Sequence, residues 1–254
     1  MNRSSQHPAL ILRVTPSGES HGSVDLVTPD DGLIHARAYG IRSSRSTLRG
    51  KVIPFARGTV WLYRDQRRES VKITDFAVDQ YGTALSENLT RFGHASLWAE
   101  VVWRTFASGG EEAVVYDTLL QGLSELETLP VEESNQIPVL SMILLWRYIA
   151  ILGVQPDIEF CGSGERHFVA EEPRYYDSRE SAVVGREWAG PGMVEITPGV
   201  VRLLRATEGR ALGDLKKLTV TPETERSLRQ FVLAVVQDAV QSPLRTLEVA
   251  GQWL

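Results

Sequence analysis

The chain has 254 residues, 43% of them apolar and 23% charged, which excludes a disordered or collagen-like protein and favours a small domain joined to a larger one. A single cysteine, Cys161, excludes an internal disulfide, and the lack of a charged-then-apolar leader before Leu10 leads us to expect a cytoplasmic protein. The net charge of −5 hides an asymmetry: residues 1–80 hold twelve Lys and Arg against eight Asp and Glu, and the remainder fifteen against twenty-four, so a polyanion is expected at the basic end.

From Leu10 to Asp79 short runs with strand chemistry are broken by turn signals at Pro16-Ser17-Gly18, Pro29-Asp30-Asp31-Gly32, Gly40, Pro54 and Arg64-Asp65-Gln66. Five strands are predicted, near 9–15, 21–28, 33–40, 56–64 and 69–78, with the second and third closing as a hairpin around Asp31-Gly32. Strands this short, with no helical stretch between most of them, suggest a small barrel or sandwich. After Tyr81-Gly82 the apolar period lengthens from two to about three and a half. Leu85, Leu89, Phe92, Ala95, Ala99, Val102 and Phe106 share one face of a predicted helix that Gly109-Gly110 ends. A second helix fits Glu111 to Leu126. A third starts at Pro138, whose missing N–H is harmless in a first turn, and stops at Gly153 before Pro156. Its apolar run, Ile137 to Leu152, is shorter than a membrane span requires and carries Arg147, so it reads as a buried helix.

Between Gln155 and Pro198 regularity fails, and the stretch reads as a long loop-like insert with some reason to be ordered. Helical chemistry returns behind Thr197-Pro198 and Thr221-Pro222, each a hydroxyl N-cap followed by proline in the first turn. The second leads a helix with Leu228, Phe231, Val232 and Val235 on one face. The expected division is a β-barrel domain over 1–80 and a mainly helical domain over 81–254, α+β overall.

One enzyme motif matches by letter. Gly18-Glu19-Ser20-His21-Gly22 satisfies G-x-S-x-G, which would make Ser20 the nucleophile of a serine hydrolase. That motif needs a strand-to-helix turn, whereas Val24-Asp25-Leu26-Val27 alternates like a strand, and the rest of the chain lacks βα alternation. There is no phosphate-binding glycine loop, dinucleotide fingerprint or H-E-x-x-H helix. The histidines His7, His21, His35, His94 and His167 are scattered. Glu111-Glu112, Glu132-Glu133 and Glu171-Glu172 are adjacent pairs that point to different faces. No catalytic residue and no cofactor is expected.

The basic, aromatic-interleaved segment is more informative. In the third strand Leu33, His35, Arg37 and Tyr39 share one face, and Ile34, Ala36 and Ala38 the other. The connection from Gly40 to Lys51 supplies Arg42, Arg45, Arg49 and Lys51 with no acidic residue among them. In the fourth strand Trp61 and Tyr63 alternate with Val60 and Leu62, and Arg64, Arg67 and Arg68 follow. Rings stack on any base, worth roughly 1–3 kcal/mol each, while Lys and Arg neutralise phosphates without reading sequence. The opposing reading places Trp61 and Tyr63 in a barrel core and leaves the arginines to solubilise a loop, as in a purely structural interaction protein. Arg202, Arg205 and Lys216-Lys217 form a second basic candidate on the helical part.

At these residues the chain resembles the RecO family of bacterial recombination mediators. The resemblance is carried by Ala9-Leu10-Ile11-Leu12 with Gly18-Glu19-Ser20, by Leu26-Val27-Thr28-Pro29 with Gly32-Leu33, and by Tyr39-Gly40-Ile41-Arg42-Ser43-Ser44-Arg45-Ser46 leading to Pro54-Phe55. Later come Trp146-Arg147-Tyr148-Ile149-Ala150-Ile151-Leu152-Gly153 with Pro156-Asp157, and Ser242-Pro243-Leu244-Arg245-Thr246-Leu247. It implies an OB-fold barrel with a helical domain and a non-enzymatic, nucleoid-associated protein that binds single- and double-stranded DNA and anneals complementary strands. It also implies work with RecR, and with the C-terminal tail of single-stranded-DNA-binding protein, in placing RecA on coated single strands, with no membrane involved. Many relatives carry two C-x-x-C pairs that form a structural zinc site. Here Cys161 stands at the first ligand position, while Gly164, Gly185 and Trp188 occupy the others. Neither glycine nor tryptophan ligates zinc by its side chain, so no bound zinc is expected, with Trp188 filling the space instead. His167, Asp177 and Glu187 are the donors that could rebuild a site.

Overall fold

A computed structural model of the chain describes residues 3–106, 111–130 and 136–251, with the side chains of Lys216 and Lys217 outside that set. Two compact units emerge, Met1–Glu127 and Thr128–Gln252.

In the first unit β1 (Ser4–Ser17), β2 (His21–Thr28), β3 (Gly32–Ala38), β4 (Arg57–Asp65) and β5 (Ser70–Gln80) close an OB-like barrel in the order β1-β2-β3-β5-β4. The β3–β5 pair is parallel, and β1 seals the barrel against β4. The predicted strands lie within a few residues of these bounds except β1, which begins at Ser4 because Ser4–Leu10 pairs with β4. The inward set includes Ala9, Ile11, Val24, Leu26, Ile34, Ala36, Ala38, Val60, Leu62, Ile73 and Phe76. Alternation fails in β5, where Leu62 pairs with Ile73 but Trp61 with Asp75. Thr74 is therefore an extra residue, its hydroxyl donating to the Trp61 carbonyl at 3.1 Å, and it moves the inward positions from Ile73 to Phe76. Gly58 lies at a second irregularity; a Cβ there would meet the Ala77 carbonyl oxygen at 2.1 Å, so only glycine fits.

The predicted 85–106 helix is broken. α1 (Thr83–Ser86) stops, and Asn88 caps α2 (Leu89–Thr105) by accepting from the Arg91 N–H. The buried face of α2 runs through His94, Ala95, Leu97, Trp98, Ala99, Val101 and Val102, whereas the expected face residues Leu89 and Phe92 are exposed. Gly109-Gly110 lies outside the described residues. α3 (Glu112–Thr128) follows.

In the second unit α4 (Ile137–Ile151) starts with Pro138 in its first turn and is buried on nearly all sides. It packs on α6 (Pro222–Val240), whose buried residues include all four predicted ones, Leu228, Phe231, Val232 and Val235. α5 (Pro198–Thr207) is not capped by the Thr197 hydroxyl, unlike α6, where Thr221 accepts from the Thr224 N–H. α7 (Arg245–Ala250) is the last helix described. The 155–198 stretch is not loop-like: β6 (Phe160–Cys161) and β7 (Arg166–His167) form a hairpin, and β8 (Arg174–Asp177), β9 (Ala182–Gly185) and β10 (Val194–Ile196) a sheet in the order β10-β8-β9. No helix among the described residues is long and apolar enough to cross a membrane.

Candidate nucleic-acid interface

Pairing on the barrel sets the geometry of the basic face. Arg37 on β3 pairs with Lys72 on β5, and Lys72 with Tyr63 on β4, so three outward side chains form one row across three strands, spanning about 10 Å. Arg37 and Lys72 are exposed and Tyr63 half-buried. The Lys72 ammonium lies over the Tyr63 ring, 4.6 Å from its centroid. Trp61, also half-buried, is one step along the same face and pairs with Asp75, which binds Lys51 at 3.4 Å. The end of the 41–51 connection is thereby tied to this face.

That connection is built, not slack. Ile41, Leu48 and Val52 drop into the barrel core. Between them the Ser43 hydroxyl accepts from the Arg45 N–H and the Ser46 hydroxyl from the Leu48 N–H, each organising a short turn. With the apolar residues anchored inward, Arg42, Arg45 and Arg49 are left exposed. Arg42 donates its N–H to the Ser20 carbonyl at 3.0 Å, which places it at the β1–β2 turn. Beside it Tyr39, half exposed, meets the His21 ring edge-on at 5.1 Å. At the β4–β5 turn the Asp65 carboxylate accepts from the Arg67 and Arg68 N–H groups and fixes both exposed arginines.

Three groups result: Arg37, Trp61, Tyr63 and Lys51 on the sheet face, Tyr39 and Arg42 at the β1–β2 turn, and Arg67 and Arg68 at the β4–β5 turn. Arg64 stands apart. It has the parity of inward Val60 and Leu62 and pairs with Asp31 at 2.6 Å. Among the described residues no carboxylate pairs with the guanidinium group of Arg37, Arg42, Arg45, Arg49, Arg67 or Arg68. Lys72 escaped sequence reasoning, although the parallel β3–β5 pairing of an OB barrel is the signal that sets it beside Arg37. Of the second basic candidate, Arg202 binds Glu171 at 2.5 Å and Arg205 is paired with Glu159, whose carboxyl it holds below the usual range, while the side chains of Lys216 and Lys217 lie outside the described set.

Ser20 lies in the β1–β2 turn and runs into a strand, not a helix. His21 Nδ1, 3.4 Å from the Ser20 Oγ, accepts the Gly40 N–H at 3.0 Å, and no carboxylate among the described residues pairs with the His21 ring. The orienting third group of a catalytic triad is missing there.

The residues at the zinc-ligand positions do not fit the metal. Among the described residues no group of three or more His, Cys, Asp and Glu is placed to hold one. The buried Cys161 Sγ accepts from the Gly164 and Gly185 N–H groups, both at 3.3 Å. Trp188 does not fill the space; it is 51% exposed on a short 3-10 turn, and the Glu187 carboxylate is what lies beside Gly185. Asp177 is paired with Arg179, Glu187 with Arg166, and His167 packs edge-on against Phe160.

Two family models match: Recombination protein O N terminal over residues 1–81 and Recombination protein O C terminal over residues 86–248. The chain is similar to the DNA repair protein RecO of Heliobacterium modesticaldum, 27% identical over 92% of this chain and 82% of that protein. The same-named protein of Bacillus pumilus is 23% identical over 88% of this chain and 84% of its own length. For that of Gloeobacter violaceus the identity is 29%, and the chain spans 59% of the relative's length and 63% of its own.

Proposed function

This chain belongs to the Recombination protein O family, a family of DNA repair and recombination, and from that premise we propose that the barrel binds single- and double-stranded DNA without reading sequence. The observation that carries the reading is the set of six exposed arginines whose guanidinium groups have no carboxylate partner among the described residues, on the same barrel as half-buried Trp61 and Tyr63. Guanidinium groups that face only water are free to exchange it for phosphate oxygens, and the counterions so released supply affinity. Arg64 and Lys51 add to this. Each sits in a surface pair with a carboxylate, an arrangement worth about 0–1 kcal/mol, which a phosphate displaces at little cost. Trp61 offers the flatter platform for a base, since Lys72 covers one face of the Tyr63 ring.

Neutralising two strands on one sequence-tolerant surface lowers their mutual repulsion, and that is how the protein anneals complements. With RecR, and through the C-terminal tail of single-stranded-DNA-binding protein, it helps place RecA on coated single strands. Catalysis is not part of this role. The test is fluorescence anisotropy with labelled single strands of unrelated sequence at several salt concentrations. Similar affinities that fall steeply with salt are expected; affinity confined to one sequence, or indifferent to salt, would refute the reading. A serine-directed probe should leave Ser20 unlabelled.

A further inference from the structure

The 157–190 segment poses a physical question independent of DNA. Its strands are two to four residues long, too short to hold themselves together, and a metal that commonly closes such folds finds no ligand set here. We propose that a guanidinium does the cross-linking instead: Arg166, clamped by Glu172 and Glu187 beside the Cys161 thiol, closes the segment as a metal-free clasp.

The geometry carries this. Arg166 on β7 reaches Glu172 with both terminal nitrogens, at 3.0 and 2.5 Å, and the second also reaches Glu187 at 2.9 Å. Glu172 in turn accepts the Val169 N–H at 2.9 Å. Three stretches of chain, 161–166, 169–172 and 185–188, thus meet on one planar cation whose fork matches carboxylates. Below it the hairpin is stitched to β9 in two places, the Gly162 N–H donating to the Val183 carbonyl at 2.9 Å and the Gly185 N–H to Cys161 Sγ at 3.3 Å. A second arginine, Arg174, is buried and spans the Ile158 carbonyl, Glu159 and the Phe168 ring.

Ligand side chains at positions 164 and 185 would crowd the clasp. A Cβ at Gly185 would come 2.7 Å from the Glu187 carboxylate, and one at Gly164 3.2 Å from Cys161 Sγ. A ligand side chain at 185 would therefore push Glu187 off Arg166. The Cys161 sulfur accepts two backbone amides, and among the described residues no group of three or more His, Cys, Asp and Glu joins it to make a donor set.

The experiment uses the full chain. Zinc content by elemental analysis should be far below one per molecule, and neither EDTA nor added zinc sulfate should move Tm. Arg166→Met should lower Tm by about 3 °C or more and flatten its dependence on salt. Glu187→Gln should do the same more weakly, and the double variant should lose less than the two separately added. Should Arg166→Met fail to fold, Glu187→Gln and its salt dependence carry the test. Stoichiometric zinc whose removal lowers Tm would overturn the proposal, as would a Glu187→Gln variant with unaltered Tm and salt response.

Discussion

On the barrel, the guanidinium groups of Arg37, Arg42, Arg45, Arg49, Arg67 and Arg68 meet no carboxylate among the described residues, whereas those of Arg166, Arg174, Arg179, Arg202 and Arg205 of the second unit each lie against at least one. The residue type is the same and the consequence opposite. Where the fold brings acids to the guanidinium, arginine is a structural cross-link and its charge is spent locally; where apolar neighbours such as Ile41 and Leu48 anchor the chain and leave arginine outside, its charge is open to a polyanion. What an arginine does here is decided by its partners, and the sign of the local field follows.

Reversing charge on the open arginines of the barrel should have the largest effect. Arg42→Glu, Arg45→Glu and Arg49→Glu together should weaken single-strand binding by on the order of 1000-fold at low salt, with Tm near wild type, as read by anisotropy and a thermal melt. Next in size is Arg174→Met, which strands the Ile158 carbonyl and Glu159 and should cost about 3 kcal/mol of stability in urea while leaving DNA affinity unchanged. Trp61→Ala should cost about 1–3 kcal/mol of single-strand affinity with little effect on duplex, since only unstacked bases lie on a ring. The smallest effect concerns pH. The Arg166 guanidinium and the Val169 N–H hold the Glu172 carboxyl down at about 2, so its contribution is full above the unfolded value of about 4.3 and is lost as pH falls from there toward 2. The Tm gap between wild type and Glu172→Gln should therefore narrow below pH 4; a gap that holds constant to pH 3 would contradict the assignment.

The barrel was legible because its strands alternate. Ile34, Ala36 and Ala38 go in and His35, Arg37 and Tyr39 out, as read. The first half of β1 was not, since Ser4 to His7 is polar, Pro8 follows it, and its strand character comes from pairing with β4, a long-range fact. Thr74 likewise shifts the parity of β5 by one residue, which no period-two reading allows for. Asn88 was a readable cap that the strong periodicity around it concealed. Between 157 and 198 the strands are shorter than any pattern window. Their stabilising contacts join Arg166 to Glu187 and Arg205 to Glu159, partners that sequence distance hides. For the candidate interface the residues were legible but their grouping was not: β3–β5 pairing brings in Lys72, and Arg64 turns away to Asp31.

Whether the arginines of the barrel connection neutralise phosphates is read from the salt dependence of single-strand binding in wild type and in the Arg42→Gln, Arg45→Gln, Arg49→Gln variant. Each lost phosphate contact removes roughly 0.7 from the slope of log affinity against log salt. The variant slope should be shallower by about 2 with an unchanged melt; parallel slopes in a folded variant would refute phosphate neutralisation at these residues.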